Sequence, residues 1–287
     1  MSTASLGASH PPAPPAVDLI DPALARRQFA VTIGAFLTYR ELVGNLVFKD
    51  LKLKYRGSVL GFLWSLLNPL ALTAVYTFAF KYVMGVQQPG FAYFILVGVT
   101  AWGFFAGAAQ MSTTAIIDGG ALMTSVRFPR AILPLATVMF NLAQYVLTLG
   151  ALLPVIFIAY RVPPVLALLS FPGVLACQVL FAVGVALFLA GAAAHFRDVR
   201  HFVEIGLMLL FWLTPIVYPL SQVPAWMHSW VLLSPMAPFI EAYHQIFMQG
   251  AVPSAQLWAL CAGYGLVVGF AGLSWFTSIE DELSEHL

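Results

Sequence analysis

The sequence predicts an all-α membrane protein with six transmembrane helices. An amphipathic interfacial helix precedes them, and an outer re-entrant helical hairpin sits between spans five and six. Three observations carry this reading. Of the 287 residues, 61% are apolar and only 9% charged, against about 45–50% and about 25% in soluble domains. Six apolar runs are each close to or above the ~20 residues that cross a bilayer. When those runs are threaded through a membrane with both termini on one side, eleven of the thirteen Lys and Arg share that side, which marks it as cytoplasmic.

The first 29 residues are polar and Pro-rich, with no apolar core of a cleavable signal. They read as a mobile cytoplasmic tail. The stretch 48-FKDLKLKYRGSVLGFLWSLLNPL-70 then carries five charges in nine residues (Lys49, Asp50, Lys52, Lys54, Arg56) and none in the next fourteen. On a 3.6-residue wheel, Glu41, Asn45, Lys49, Lys52 and Arg56 share an arc of about 80°. Tyr39, Leu42, Val43, Leu46, Val47 and Leu53 oppose them. Residues 39–57 therefore read as a helix along the membrane surface, its basic edge toward anionic headgroups. Asp50 and Lys54 fall within the apolar arc at i, i+4, acid first. Either they pair on a protein-facing surface, or the helix breaks near Phe48 and both are solvated.

Spans are expected at 59–80, 91–117, 131–160, 165–194, 202–219 and 255–276. Runs of ~30 residues exceed the bilayer core, so these helices tilt or project beyond it. Asn68-Pro69 and Thr214-Pro215 lie inside the first and fifth spans, where proline frees a carbonyl and permits a bend. Residues 220–250 are strongly apolar, but prolines at 224, 235 and 238 cut them into pieces too short to span. They read as a re-entrant or interfacial hairpin packed into the bundle, or else as an aromatic-rich outer loop. Within it, Glu241 and His244 are one turn apart, as a structural pair or a pH-sensitive outer gate. The chain ends in an acidic cytoplasmic tail, 281–287.

A net charge of +1 gives no basic field for nucleic acid. Cys177 and Cys261 sit in apolar runs and make no disulfide framework or metal signature. No charge marks an ion or proton path across the spans, which disfavours ion-coupled transport. No G-x-x-x-x-G-K-[ST] phosphate loop is present, so the chain has no nucleotide site of its own.

The opening motif, 48–70, resembles the signature of permease subunits of type-2 ABC exporters, and is most similar to the branch exporting O-antigen polysaccharide and teichoic acid. Three further stretches agree in order and spacing: 127-RFPRAILP-134, 196-FRDVRHFVE-204, and 212-WLTPIVYPLSQVP-224 with 234-SPMAPFIEAYHQ-245. The likeness covers residues 30–280. His244 departs from it, standing where many relatives have Arg or Lys. The resemblance implies an export permease in the cell inner membrane, multi-pass with both termini cytoplasmic. It binds no cofactor itself; ATP and Mg are used by a partner. The implied assembly is a homodimer with two cytoplasmic ATP-binding subunits, passing a lipid-linked polysaccharide along a central axis. Six spans are too few to enclose a polymer, which also favours a dimer.

Coupling to the ATPase is expected at the basic helix (Lys49, Lys52, Lys54, Arg56) and at the loop 118-DGGALMTSVRFPR-130, through Asp118, Arg127, Phe128 and Arg130. Between Gly119-Gly120 and Pro129 this loop has room for a short helix. Its arginines alternatively serve as positive-inside anchors. A third candidate is the turn 195-HFRDVRH-201, with Arg200 and Glu204 one turn apart. A sliding saccharide needs many weak stacking contacts, which Trp64, Tyr76, Phe80, Trp102, Phe104, Phe105, Trp212 and Tyr218 are placed to supply, unless they are interfacial belts and lipid-facing rings. Competing readings are the same fold exporting teichoic acid, capsule polysaccharide, a small lipid or a drug, and a membrane-embedded enzyme acting on lipid-linked sugars. The enzyme would need acids, bases or metal-binding carboxylates converging at one depth in the membrane.

Overall fold

The computed structural model describes residues 34, 38–125, 128–159 and 163–280. The N-terminal tail, Arg127, Arg161 and the acidic tail 281–287 lie outside the described residues. All regular elements among the described residues are helical. This is the expected solution for apolar chain with no water to satisfy its backbone.

Helix α1 (Arg40–Tyr55) corresponds to the expected interfacial helix and ends where Arg56 turns extended. Gly57 then takes φ +75°, a conformation that favours glycine. The apolar arc of α1 is covered by protein in part. Val43 and Leu46 are buried with Ala115, Ile132, Leu133 and Ala136, and Tyr39, Leu42 and Val47 pack around them. Phe48 and Leu53 remain exposed.

Helix α2 (Leu63–Thr77) continues through a π-helical turn, Phe78–Val83. Pro69 lies inside it, yet the change of hydrogen-bond register comes a full nine residues later, at Phe78. Helix α3 (Phe91–Asp118), about 42 Å long at 1.5 Å per residue, is the central post. It contacts α2, α5 (Ile132–Ala159), α6 (Val165–His195) and α7 (Val199–Leu213). The short α4 (Gly120–Ser125) fills the loop where a short helix was expected. Helix α6 makes the most extensive pairing in the molecule with α10 (Ala255–Ile279). Their backbones touch at Gly184, where an added Cβ would collide with the Val268 carbonyl and Gly269. Small residues at a helix crossing allow this approach and raise van der Waals contact, the main attraction available inside a membrane.

Among the described residues, five helices are long and apolar enough to cross a membrane: Leu63–Val83, Phe91–Asp118, Ile132–Ile158, Val165–His195 and Ala255–Ile279. The chain is thus a multi-pass membrane protein. The segment expected as a fifth span, 202–219, differs from the expectation. Its helix α7 has 15 residues, about 22 Å, and stops at Leu213 because a residue before proline is pushed out of the helical region. Thr214 is extended (φ −93°, ψ 137°). Pro215 therefore ends the helix instead of bending it. The chain then dives inward, burying Ile216 and Val217 completely; Ile216 packs against Gly98, where a side chain would crowd it. Thr214 Oγ1 anchors this turn, donating to Leu210 O at 2.7 Å and sharing a 3.0 Å hydrogen bond with Ser234.

Residues 220–250 form two short helices cut by prolines as expected. Helix α8 (Ala225–Leu232) leaves Trp226 and Trp230 exposed. Helix α9 (Ala237–His244) is buried along its length except the partly open Glu241, and a π turn extends it to the exposed Gln249. Gln178 of α6 pins it: its Oε1 accepts from Tyr243 at 2.6 Å, and its Nε2 donates to Ala101 O of α3 at 3.1 Å.

Candidate functional site

A cavity of about 580 Å³ opens between α2, α3, α5 and α7. Aromatic walls come from Trp64 and Tyr76 on α2, Trp102 and Phe104 on α3, Tyr145 on α5 and Phe211 on α7. Between them sit Ser65, Asn68, Thr100, Asn141, Gln144 and Thr148, and at the rim Lys54. Several polar groups are held by their own helices. Thr100 Oγ1 donates back to Leu96 O at 2.8 Å, and Asn141 Nδ2 to Thr137 O at 2.8 Å. Gly107 has no side chain because Asn141 Oδ1 occupies that space.

The aromatic residues form a connected path. Tyr76 stacks on Phe211 at 5.7 Å, and Trp102 meets Phe211 edge-on at 5.7 Å. Trp212 joins through Phe211 at 5.6 Å and borders a second cavity of about 340 Å³ with Tyr76, Trp102, Gln110 and Glu204. Of the residues expected to line a channel, Trp64, Tyr76, Trp102 and Phe104 face the first cavity and Trp212 the second. Tyr218 donates to Trp212 O at 3.1 Å, bracing the end of α7. Phe80 is half-buried against the core. Phe105 turns the other way and is buried on Phe181 of α6 at 5.2 Å. Phe211 and the amides Asn141 and Gln144 escaped the sequence reading, which named Asn68 only for its step into Pro69. The signal that would have found them is an amide inside an otherwise apolar span.

At the basic end, the two expected coupling elements meet. Phe128, Leu122 and Met123 from the 118–130 loop pack in the same cluster as Val43 and Leu46 of α1. Asp118 closes α3, and Gly119 caps it with ordinary right-handed torsions. Arg130 is tied to the end of α10: its backbone N–H donates to Glu280 Oε1 at 2.9 Å, and its guanidinium to Glu280 O at 3.3 Å. Arg127 lies outside the described residues. Arg200 and Glu204 pair at 3.4 Å, as their spacing suggests.

The expected Asp50–Lys54 pair does not form. Asp50 lies 3.6 Å from Lys49. Lys54 instead reaches inward, donating to Gln144 Oε1 and standing 5.8 Å over the Phe140 ring. The surrounding protein strips water from its ammonium and lowers its pKa from the usual lysine range. Lys54 nonetheless remains exposed, as do Lys49, Lys52 and Arg56.

At the far end, Glu241 and His244 do not pair either. His244 is buried, its ring stacked 3.7 Å from Phe94 and its Nε2 bonded to Phe94 O at 3.1 Å. Glu241 is hydrogen-bonded by Gln245. Both border an amide-rich cavity of about 330 Å³ with Gln87, Gln88, Gln222 and Gln249.

A helical membrane bundle with an aromatic and amide-lined cavity and a basic end fits a membrane transport component. The chain belongs to the ABC-2 type transporter family, which matches residues 41–248. It is similar to the O-antigen export system permease protein RfbA of Myxococcus xanthus, 36% identical over 251 residues, covering 87% of this chain and 96% of that one. A protein of the same name from Klebsiella pneumoniae is 32% identical over 83% of this chain and 92% of its own. The polysialic acid transport protein KpsM of Escherichia coli is 21% identical over 87% of this chain and 98% of its own.

Proposed function

We propose that this chain is the permease subunit of an ATP-driven exporter moving a lipid-linked, O-antigen-like polysaccharide from the cytoplasm across the inner membrane. The observation that carries this is the main cavity, where aromatic faces alternate with amides and hydroxyls. Such walls offer many similar weak contacts, suited to a chain of sugars in motion. Likeness over nearly the whole chain to permeases named for O-antigen export supports the cargo. Among the described residues no carboxylate lines the cavity to act as acid or base, which favours transport over an enzyme acting on lipid-linked sugars.

Two copies and two ATP-binding subunits complete the machine, with both termini cytoplasmic. The outer hairpin caps the far end, and α7 with its inward turn takes the role of a sixth membrane segment. The ATPase docks on the joint surface of α1 and the 118–130 loop. The likeness to KpsM makes a capsule polysaccharide the second cargo.

Disrupting this gene in its host should abolish the surface polysaccharide while its lipid-linked precursor accumulates inside; normal surface polysaccharide overturns the reading. In the assembled transporter, Arg127→Glu with Arg130→Glu should reduce substrate-stimulated ATP hydrolysis at unchanged expression. Unaltered stimulation removes the loop from the coupling surface.

A further inference from the structure

The end of the bundle opposite α1 holds a cavity of its own. It is the amide-rich space of about 330 Å³ beside Phe94, in the first turn of α3; the main cavity begins at Val99, further along the same helix. Glu241 is the one carboxylate among the described residues that line it, and no Lys or Arg lines it alongside. Ion pairs among the described residues go to Asp50 and Glu204, so what Glu241 has is a hydrogen bond from the Gln245 amide. Two more acceptors border the space. His244 is buried and its Nε2 donates to Phe94 O at 3.1 Å, which leaves Nδ1 as the bare nitrogen of a neutral ring. That Nδ1 and Gln88 Oε1 are both buried without a hydrogen-bond partner. Buried polar atoms are almost always partnered, and a charge withdrawn from water is paired. The wall therefore lacks hydrogen-bond donors and one positive charge.

We propose that this cavity is a binding site for an amino sugar whose amine is free and protonated. The ammonium supplies both missing things, three N–H donors and a positive charge for Glu241, in the charge-assisted bonds that are the strong ones. The sugar frame follows from the rest of the wall. Gln87, Gln222, Gln249 and Ser221 can each donate and accept, which matches the hydroxyls around a sugar ring and serves an apolar amine poorly. The volume stands at the small end of ligand pockets, on the scale of a single sugar unit. A divalent ion would meet one carboxylate there, and no group of three metal-ligating side chains occurs among the described residues. The site does not depend on what the chain exports.

The test uses the purified full-length chain in an uncharged detergent without a sugar head, with binding followed by saturation-transfer NMR. Glucosamine should bind about ten-fold more tightly than glucose or N-acetylglucosamine, the size of one charge-assisted bond. Glu241→Gln should erase that preference, and Glu241→Asp should keep part of it. If Glu241→Gln misfolds, Gln222→Ala on the exposed turn carries the test, with an expected several-fold loss of glucosamine affinity; full affinity there counts against the site. A water-soluble carbodiimide should also join glucosamine to Glu241 as an amide, located by peptide mass. Chitosan oligomers that outcompete glucosamine mark the ligand as a unit of a sugar chain, and oligomers that fail to compete mark it as the free sugar. Equal binding of glucose and glucosamine, an amine preference that survives Glu241→Gln, or methylamine competing as well as glucosamine overturns the proposal. The assay needs neither ATPase nor exported polymer, so its outcome is separate from that of the export experiment.

Discussion

Helices α2 and α3 are neighbours, similar in apolar character, and opposite in environment. In the most apolar stretch of α3, 78% of residues are buried inside the bundle; in that of α2, only 6%. Membrane helices are sorted by what covers them, because lipid tails are as apolar as leucine and leave no hydrophobic difference to sort on. The covered helix carries Ala101 and Ala108 at contact points and a polar cross-link through Gln178. The uncovered helix presents Leu63, Trp64, Leu67, Leu70, Val75 and Phe78 outward. That face awaits lipid or a second copy of the chain.

Substitutions can break or sharpen this contrast. The largest effect belongs to Phe105→Ala on α3, at about 3 kcal/mol of stability, the lower end for a buried phenylalanine because lipid replaces water as the reference. Thermal unfolding in detergent measures it; a stable variant with impaired export would instead make Phe105 a channel residue. Gln178→Leu comes next, at about 1 kcal/mol for interhelical hydrogen bonds in a bundle, read by the same method. An unchanged unfolding temperature would mean that Tyr243 and Ala101 find other partners. The smallest stability effect is on α2, where Val75→Ala should stay within about 0.5 kcal/mol. Val75→Cys, with Cys177 and Cys261 replaced, should nonetheless crosslink two copies under oxidation, while Leu169→Cys on α6 should not. Absence of a crosslink assigns the α2 face to lipid.

These contrasts mark what was legible in the sequence. Spans bounded by charge or turn residues, such as α3 between Gly90 and Gly119, could be placed closely. So could the surface helix and the proline-cut pieces around Pro224 and Pro238. The facing of individual side chains could not. Phe104 and Phe105 are adjacent and chemically identical, yet one lines the cavity and the other the core, because a helix turns about 100° per residue. Thr214-Pro215 reads as a bend inside a span, whereas the helix ends there: Thr214 turns extended before the proline and bonds to the distant Ser234. Lys54 and Asp50 had the right spacing to pair, but Asp50 sits beside its neighbour Lys49 and the distant Gln144 draws Lys54 away.

The α1–loop contact has a mechanical consequence. Phe128, Leu122 and Met123 share one apolar cluster with Val43 and Leu46, and Tyr55 at the end of α1 is hydrogen-bonded to Ser65 on α2, across the Arg56–Ser58 corner. Its ring also meets Phe62 edge-on at 6.0 Å. The corner is thereby strapped on its inner side and behaves as a stiff elbow instead of a loose hinge. A subunit pressing on either the surface helix or the loop would load both together, and the strap would carry that load directly into the wall of the cavity.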